Sequence, residues 1–302
     1  MLLIGGKFLS IVFQVERLDW RVDFTGETAL VTGGTSGIGL KLAELLARRG
    51  ASVAVCSRSA DRVAAAVERL TTVGRDAGTG AKVVGRACDV ADASAVVELV
   101  DWVVEQLGGL RILIANAGVG GPFGPFPLLG PTRAAEVAAQ VLGTNLAGTI
   151  HCVSAALKHM LPAGYGRILT LSGGGAGRPL ANMVVYSASK GGVLAFTRCL
   201  AKDLEELGAD QVKANAFQPG MHATGLTRNV EIVEGWRDAG EVRRERDLAL
   251  QHMGGDLEAA CSKALPFLHP TCKKSGSVVR GFSVAKMIRG GAKLRKALKK
   301  KR

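Results

Sequence analysis

Thr28-Ala29-Leu30-Val31-Thr32-Gly33-Gly34-Thr35-Ser36-Gly37-Ile38-Gly39 is the stretch that decides how this chain folds. Its first five residues read as a short buried strand. Residues 38–49 read as a helix, with Ile38, Leu42, Leu45 and Leu46 at helical spacing. Between the two, glycines let the backbone turn tightly and come close to a pyrophosphate, and the N–H groups at the helix start face that anion. The candidate dinucleotide contacts are Thr32, Gly33, Thr35, Ser36, Gly37, Ile38 and Gly39. A glycine-rich turn that binds nothing is the plainer alternative, so a second signal is needed.

Far downstream of the glycine run stands Val185-Tyr186-Ser187-Ala188-Ser189-Lys190. Residues four apart on a helix share a face, so Tyr186 and Lys190 can address one ligand. A free tyrosine titrates near ~10, and a nearby ammonium favours the phenolate. Such a hydroxyl can exchange a proton with a carbonyl or an alcohol. A surface Tyr and Lys on an amphipathic helix is the competing reading, and the upstream glycine run weighs against it.

Strand and helix patterns alternate along the chain, which argues for a parallel sheet. The expected strands are 28–32, 51–56, 82–87, 110–115, 166–172, 211–217 and 277–284. The clearest helices are 38–49, 60–72, 92–107, 133–160 and 185–207. Gly143 and Gly148 flank Asn145 inside 133–160. Glycine weakens a helix by ~1 kcal/mol relative to alanine, so a local irregularity is expected there. No linker interrupts the alternation. The expected organisation is an N-terminal extension (1–23), one α/β domain (24–290) and a basic tail (291–302).

The sequence resembles the short-chain dehydrogenases/reductases over roughly residues 24–284. Besides the two motifs, Asp89-Val90, Asn116-Ala117-Gly118, Asn145 and Pro219-Gly220 with Thr224 occur in the family's order. The resemblance implies a doubly wound, Rossmann-type parallel sheet of about seven strands flanked by helices. It implies that Asp89 and Val90 lie by adenine and that Pro219, Gly220 and Thr224 pass the nicotinamide. It assigns Tyr186 to proton exchange, Lys190 to the ribose, and Asn145 to a water-mediated relay behind Lys190. The expected assembly is a homodimer or homotetramer.

Cofactor choice rests on the end of the second strand. An acidic residue there would bind a ribose 2′-hydroxyl. This chain has Ser57 and then Arg58, which suits a 2′-phosphate, so NADP(H) is expected over NAD(H). The substrate-orienting serine is assigned to Ser172. The family spaces serine and tyrosine thirteen apart, whereas Ser172 lies fourteen before Tyr186. An ungapped count lands on Gly173; an insertion within 173–177 restores Ser172. Arg111 and Ala115 depart from the family beside the fourth strand and are read as local support.

The chain has 302 residues, 39 of them basic and 26 acidic, for a formal charge of +13. Residues 259–302 hold thirteen Lys/Arg and no Asp or Glu, so 1–258 is formally neutral. The end of the chain reads as a solvated tail, with an amphipathic helix on an anionic membrane surface or a nucleic-acid contact as alternatives. Specific nucleic-acid binding is not expected, because no aromatic residues accompany these lysines. The apolar start, 1–13, is too short to span a bilayer and lacks the pattern of a secretory signal. Six cysteines without a C-x-x-C pair suit a reducing cytosol, and the histidines show no metal-ligand spacing. His222 falls in the loop expected to pass the nicotinamide, where a substrate contact is the lesser of its readings. Two function classes stand: an NADP(H)-dependent oxidoreductase for a ketone or secondary alcohol, and a nucleotide-binding scaffold acting through its basic tail.

Overall fold

A computed structural model describes residues 22–177 and 180–299. Seven parallel strands form one sheet: β1 (Thr28–Thr32), β2 (Ser52–Ser57), β3 (Val83–Ala87), β4 (Ile112–Ala115), β5 (Gly166–Leu171), β6 (Val212–Gln218) and β7 (Val278–Arg280). Their spatial order is β3-β2-β1-β4-β5-β6-β7. The chain winds outward from β1 to β3, then crosses back so that β4 pairs with the other side of β1. That reversal leaves a crevice beyond the carboxyl ends of β1 and β4, the place where such sheets bind ligands.

Helices α1 (Gly37–Ala47), α2 (Ala60–Asp76), α3 (Ala93–Leu107), α4 (Gly130–Leu142), α5 (Gly148–Met160) and α6 (Val184–Glu206) connect the strands. Strand periodicity sorts the core. Ala29, Val31, Ile112 and Ile114 face one layer with Leu42, Leu45 and Leu46 of α1. Leu30, Leu113 and Ala115 face the other with Leu99 and Val103 of α3 and Met160 of α5. Side chains two apart share a face, so each strand feeds both layers. Ser59 accepts from Arg62 N–H at the start of α2, and Asp92 accepts from Ser94 and Ala95 N–H at the start of α3. These caps satisfy N–H groups that the helices leave unpaired.

The single helix expected over 133–160 is divided. A π-helical segment, Gly143–Ala147, separates α4 from α5 and contains Asn145. Gly148 follows because a Cβ there would lie 2.6 Å from a Val90 methyl. A π segment inside an α-helix commonly marks a functional site.

The last strand is three residues long, against the eight expected over 277–284. Gly281 N–H still bonds Gln218 O, but its Cα packs so close to Pro219 that a Cβ would sit 2.5 Å from Pro219 O. The chain then turns into a helix.

Between β6 and β7 lie α7 (Gly225–Arg228), α8 (Ala239–Met253), α9 (Leu257–Ser262) and α10 (Leu265–Leu268); after β7 comes α11 (Val284–Lys299). The expected solvated tail is corrected here, since residues 291–299 continue α11, which packs against α8. Met287, Gly290, Leu294, Ala297 and Leu298 form its less exposed face, while Lys286, Arg289, Lys293, Arg295 and Lys296 point outward. Helical spacing of the apolar residues supplies the reason. A Cβ on Gly290 would collide with His252 O, so glycine sets the close approach of the two helices. Residues 1–21, most of the expected N-terminal extension, and 300–302 lie outside the described residues. No helix among the described residues is long and apolar enough to cross a membrane.

Candidate active site

The glycine run closes the crevice between β1 and β4. Gly33 (φ +62°) lies so near the end of β4 that a Cβ would be 2.9 Å from Ala117 Cα. Asn116 ties the two together: its Nδ2 donates to Thr32 O at 2.9 Å and Gly33 O at 3.2 Å. Thr32 Oγ1 in turn accepts from the N–H groups of Asn116 and Ala117, each at 3.1 Å. The Ser36 side chain does not cap α1, which leaves the helix start open to an anion. Thr224 comes in from the far side, its methyl 3.2 Å from where a Cβ on Gly37 (φ +54°) would stand. Gly220 (φ +96°) turns the β6–α7 loop over this crevice against Phe282. At Gly33, Gly37 and Gly220 the positive φ together with these close approaches calls for glycine.

At the rim, Ser57 Oγ donates to Ser59 O at 3.3 Å. Arg58 is exposed and makes no hydrogen bond or ion pair among the described residues, so its guanidinium is available to a phosphate. Asp89 is exposed, with Oδ1 accepting from Ala91 N–H at 3.0 Å, while Val90 is buried against Gly148. Val90 therefore supports the π segment, and Asp89 offers the free carboxylate edge. Arg111 pairs with Glu27 at 3.0 Å and lies over the Tyr165 ring, as local support.

Asn145 is fully buried. Its Oδ1 accepts from Val119 N–H at 2.8 Å, and its Nδ2 donates to Val119 O and Ser189 Oγ, both at 3.0 Å. Thr149 Oγ1 donates to Asn145 O at 2.7 Å. A Cβ on Gly118 would lie 3.1 Å from Asn145 Oδ1 and 3.4 Å from Lys190 Nζ. Asn145, Lys190 and the Asn116-Ala117-Gly118 turn thus converge behind one glycine.

Lys190 and Tyr186 share a face of α6, with Nζ 5.8 Å from the tyrosine ring centroid. Nζ donates to Leu171 O at 2.8 Å. Burial pulls the Lys190 ammonium down to about 8 and pushes the Tyr186 phenol up to about 12. The expectation that Lys190 lowers the phenol is therefore not met in this arrangement. Nζ is turned to the Leu171 carbonyl, and desolvation dominates.

Ser172 is corrected by the geometry. It is buried, and its Oγ donates to Lys190 O at 3.1 Å. The residue against the tyrosine hydroxyl is Gly173, where a Cβ would lie 2.7 Å from Tyr186 Oη. Successive residues at a strand end point to opposite sides, so the ungapped count, fourteen from Ser172 and thirteen from Gly173, was the informative signal. His222 takes the plainer of its readings. It is buried under the loop, its ring nitrogens 3.0 Å from Gly255 O and Pro219 O, which makes it a loop clamp rather than a substrate contact. Asn182 was not anticipated at all. It is the one non-glycine residue with positive φ (67°) among those described.

Comparison with known proteins gives the same picture. The model of the short chain dehydrogenase family matches residues 27–234. A Streptomyces coelicolor protein named for ketoacyl reduction is 36% identical over 221 residues, covering 72% of this chain and 78% of its own. A Burkholderia cenocepacia short chain dehydrogenase solved in complex with NADP is 30% identical with a TM-score of 0.68, covering 85% of this chain and 96% of its own. A xylitol dehydrogenase solved with NAD+ is 27% identical with a TM-score of 0.70, covering 85% and 98%. The Tyr-x-x-x-Lys helix, the glycine cradle and the reversed sheet are thus accounted for together: the chain belongs to the short chain dehydrogenase family, oxidoreductases that act on CH–OH and C=O groups.

Proposed function

We propose that this chain is an NADP(H)-dependent ketoreductase, moving a hydride between nicotinamide and a ketone or secondary alcohol. The observation that carries the reading is the convergence of Lys190 and Asn145 behind Gly118, beside the glycine cradle, with the Tyr186 ring 5.8 Å from Lys190 Nζ. When bound, the cofactor supplies the hydride. The residues that would hold it are Thr32 to Gly39 at the phosphates, Asp89 and Val90 near adenine, Asn116 to Gly118 along the crevice, and Pro219, Gly220 and Thr224 over the nicotinamide end.

The phenol of Tyr186, neutral at ordinary pH and pushed up further to about 12 by burial, gives its proton to the carbonyl oxygen as that oxygen gains charge. Lys190, one turn along the same face, would offset the charge left on the phenolate once its Nζ turns from the Leu171 carbonyl toward Tyr186. Asn145 holds the Val119 backbone and Ser189, which fixes the wall that Lys190 leans on. The preference for NADP(H) rests on Arg58, exposed and without an ion pair, with no carboxylate at the end of β2. The name of the Streptomyces coelicolor relative favours a ketone substrate. Oxidation of NADPH and of NADH against ethyl acetoacetate, cyclohexanone and diacetyl tests the proposal. Turnover with NADPH preferred supports it, and silence across the panel refutes it.

A further inference from the structure

Gly173 leaves the site without a hydroxyl at the end of β5. The Ser172 hydroxyl is spent on Lys190 O inside the protein, and Gly173 presents only backbone to Tyr186 Oη. Something else must direct the second hydrogen bond to a substrate oxygen, because one donor fixes a distance but not an orientation. Beside Tyr186 lies a narrow cavity between segment 120–124, Phe126 and Leu129 ahead of α4, Val137 within α4, and residues 182–186. Phe126, Leu129, Val137, Met183 and Val185 line it together with glycines, and among the described residues Asn182 and Tyr186 are its only side-chain hydrogen-bond donors. The space is about 10 Å³, room for one water-sized group such as a substrate oxygen and not for a whole ligand.

Asn182 is held there at a conformational cost. Its φ of 67° lies in the left-handed region, and Gly124 N–H donates to its carbonyl at 3.0 Å, tying it to the loop after β4. Asparagine tolerates this backbone better than other side chains, and such residues gather at ligand sites. Its amide is half-buried and makes no hydrogen bond among the described residues. The buried Ser187 hydroxyl also has no partner among them, but it lies against Gly175, away from the cavity wall.

We infer that the Asn182 amide is the second donor to the substrate oxygen, in the role that a serine hydroxyl at residue 173 would otherwise fill. This rests on the ketoreductase reading above. The test compares wild type, Asn182→Gly, Asn182→Asp and Ser187→Ala on whichever of ethyl acetoacetate, cyclohexanone and diacetyl the wild type reduces. Glycine accepts the backbone conformation, and aspartate keeps the shape without the donor. Both Asn182 variants should lose kcat on the order of 10²-fold, the scale for one lost oxyanion donor. NADPH affinity and Tm should stay near wild type in Asn182→Gly. A kcat within twofold of wild type in Asn182→Gly overturns the inference, as does a parallel loss of NADPH affinity or Tm, which would mark a purely structural role. A comparable kcat loss confined to Ser187→Ala overturns it in favour of that hydroxyl. Wild-type silence on the whole panel refutes instead the reductase reading beneath it.

Discussion

Lys190 is a cation with one carbonyl partner in a buried place, and that arrangement has a measurable signature in stability. Its folded pKa of about 8 lies below the ordinary value of 10.5. Below pH 8 both folded and unfolded chains carry the proton, and burial of the charge opposes folding in full. Between 8 and 10.5 the unfolded chain binds more protons than the folded one, so the opposition fades as pH rises. Linkage from these two values makes the relief about 2 kcal/mol between pH 8 and pH 10. Other groups act in the same window. Burial raises the thiols of Cys56, Cys88, Cys152 and Cys261, which makes folding less favourable as pH rises. The wild-type profile alone therefore hides Lys190.

Lys190→Met isolates it. The substitution removes the buried charge and the bond to Leu171 O while keeping a flexible apolar chain, and the thiol contributions cancel in the difference. Urea unfolding of both proteins without cofactor, at pH 8, 9 and 10, should show the variant's stability relative to wild type falling by about 2 kcal/mol across the range. The variant should also lose turnover. A difference that stays constant with pH would refute the claim that Lys190 is held as a desolvated cation.

Two further predictions concern the rim and the last helix. Arg58→Ala should weaken NADPH binding at least tenfold more than NADH binding, since charge-assisted hydrogen bonds contribute ~1.5–3 kcal/mol; titration of both cofactors checks this, and equal losses contradict it. Ending the chain after Lys293 strips Leu294, Ala297 and Leu298 from the face of α11 that meets α8, so stability should fall by about 2 kcal/mol for two partly buried leucines, visible as a lower Tm; an unchanged melt would mean that the α8 contact contributes nothing.

The sheet was legible because its signals are local and repeated. Buried strands such as 28–32 and 112–115 are short apolar runs, and each is followed by turn residues. The π segment was foreshadowed by two glycines around Asn145, although which residues it spans depends on the approach of Val90 to Gly148, a contact between distant parts of the chain. The last strand and the tail were misread for one reason. A basic run states where charge is, but not that the helix it ends packs on α8, which comes from a segment whose own pattern was opaque. At the site, Tyr186, Lys190, Asn145 and the glycine cradle are fixed by spacing within single elements. Ser172 against Gly173 is a question of register at a strand end, where one residue reverses the direction of a side chain. Asn182 carries no sequence signal, because its position follows from a backbone angle and a bond to Gly124.

The most direct test of the account is Tyr186→Phe, which removes the hydroxyl and keeps the ring. Single-turnover NADPH oxidation with a carbonyl that the wild type reduces should slow on the order of 10² or more, the scale for general acid–base catalysis, while NADPH binds as before. Near-wild-type turnover in that variant would contradict the assignment of the proton to Tyr186, and with it the chemistry proposed for this chain.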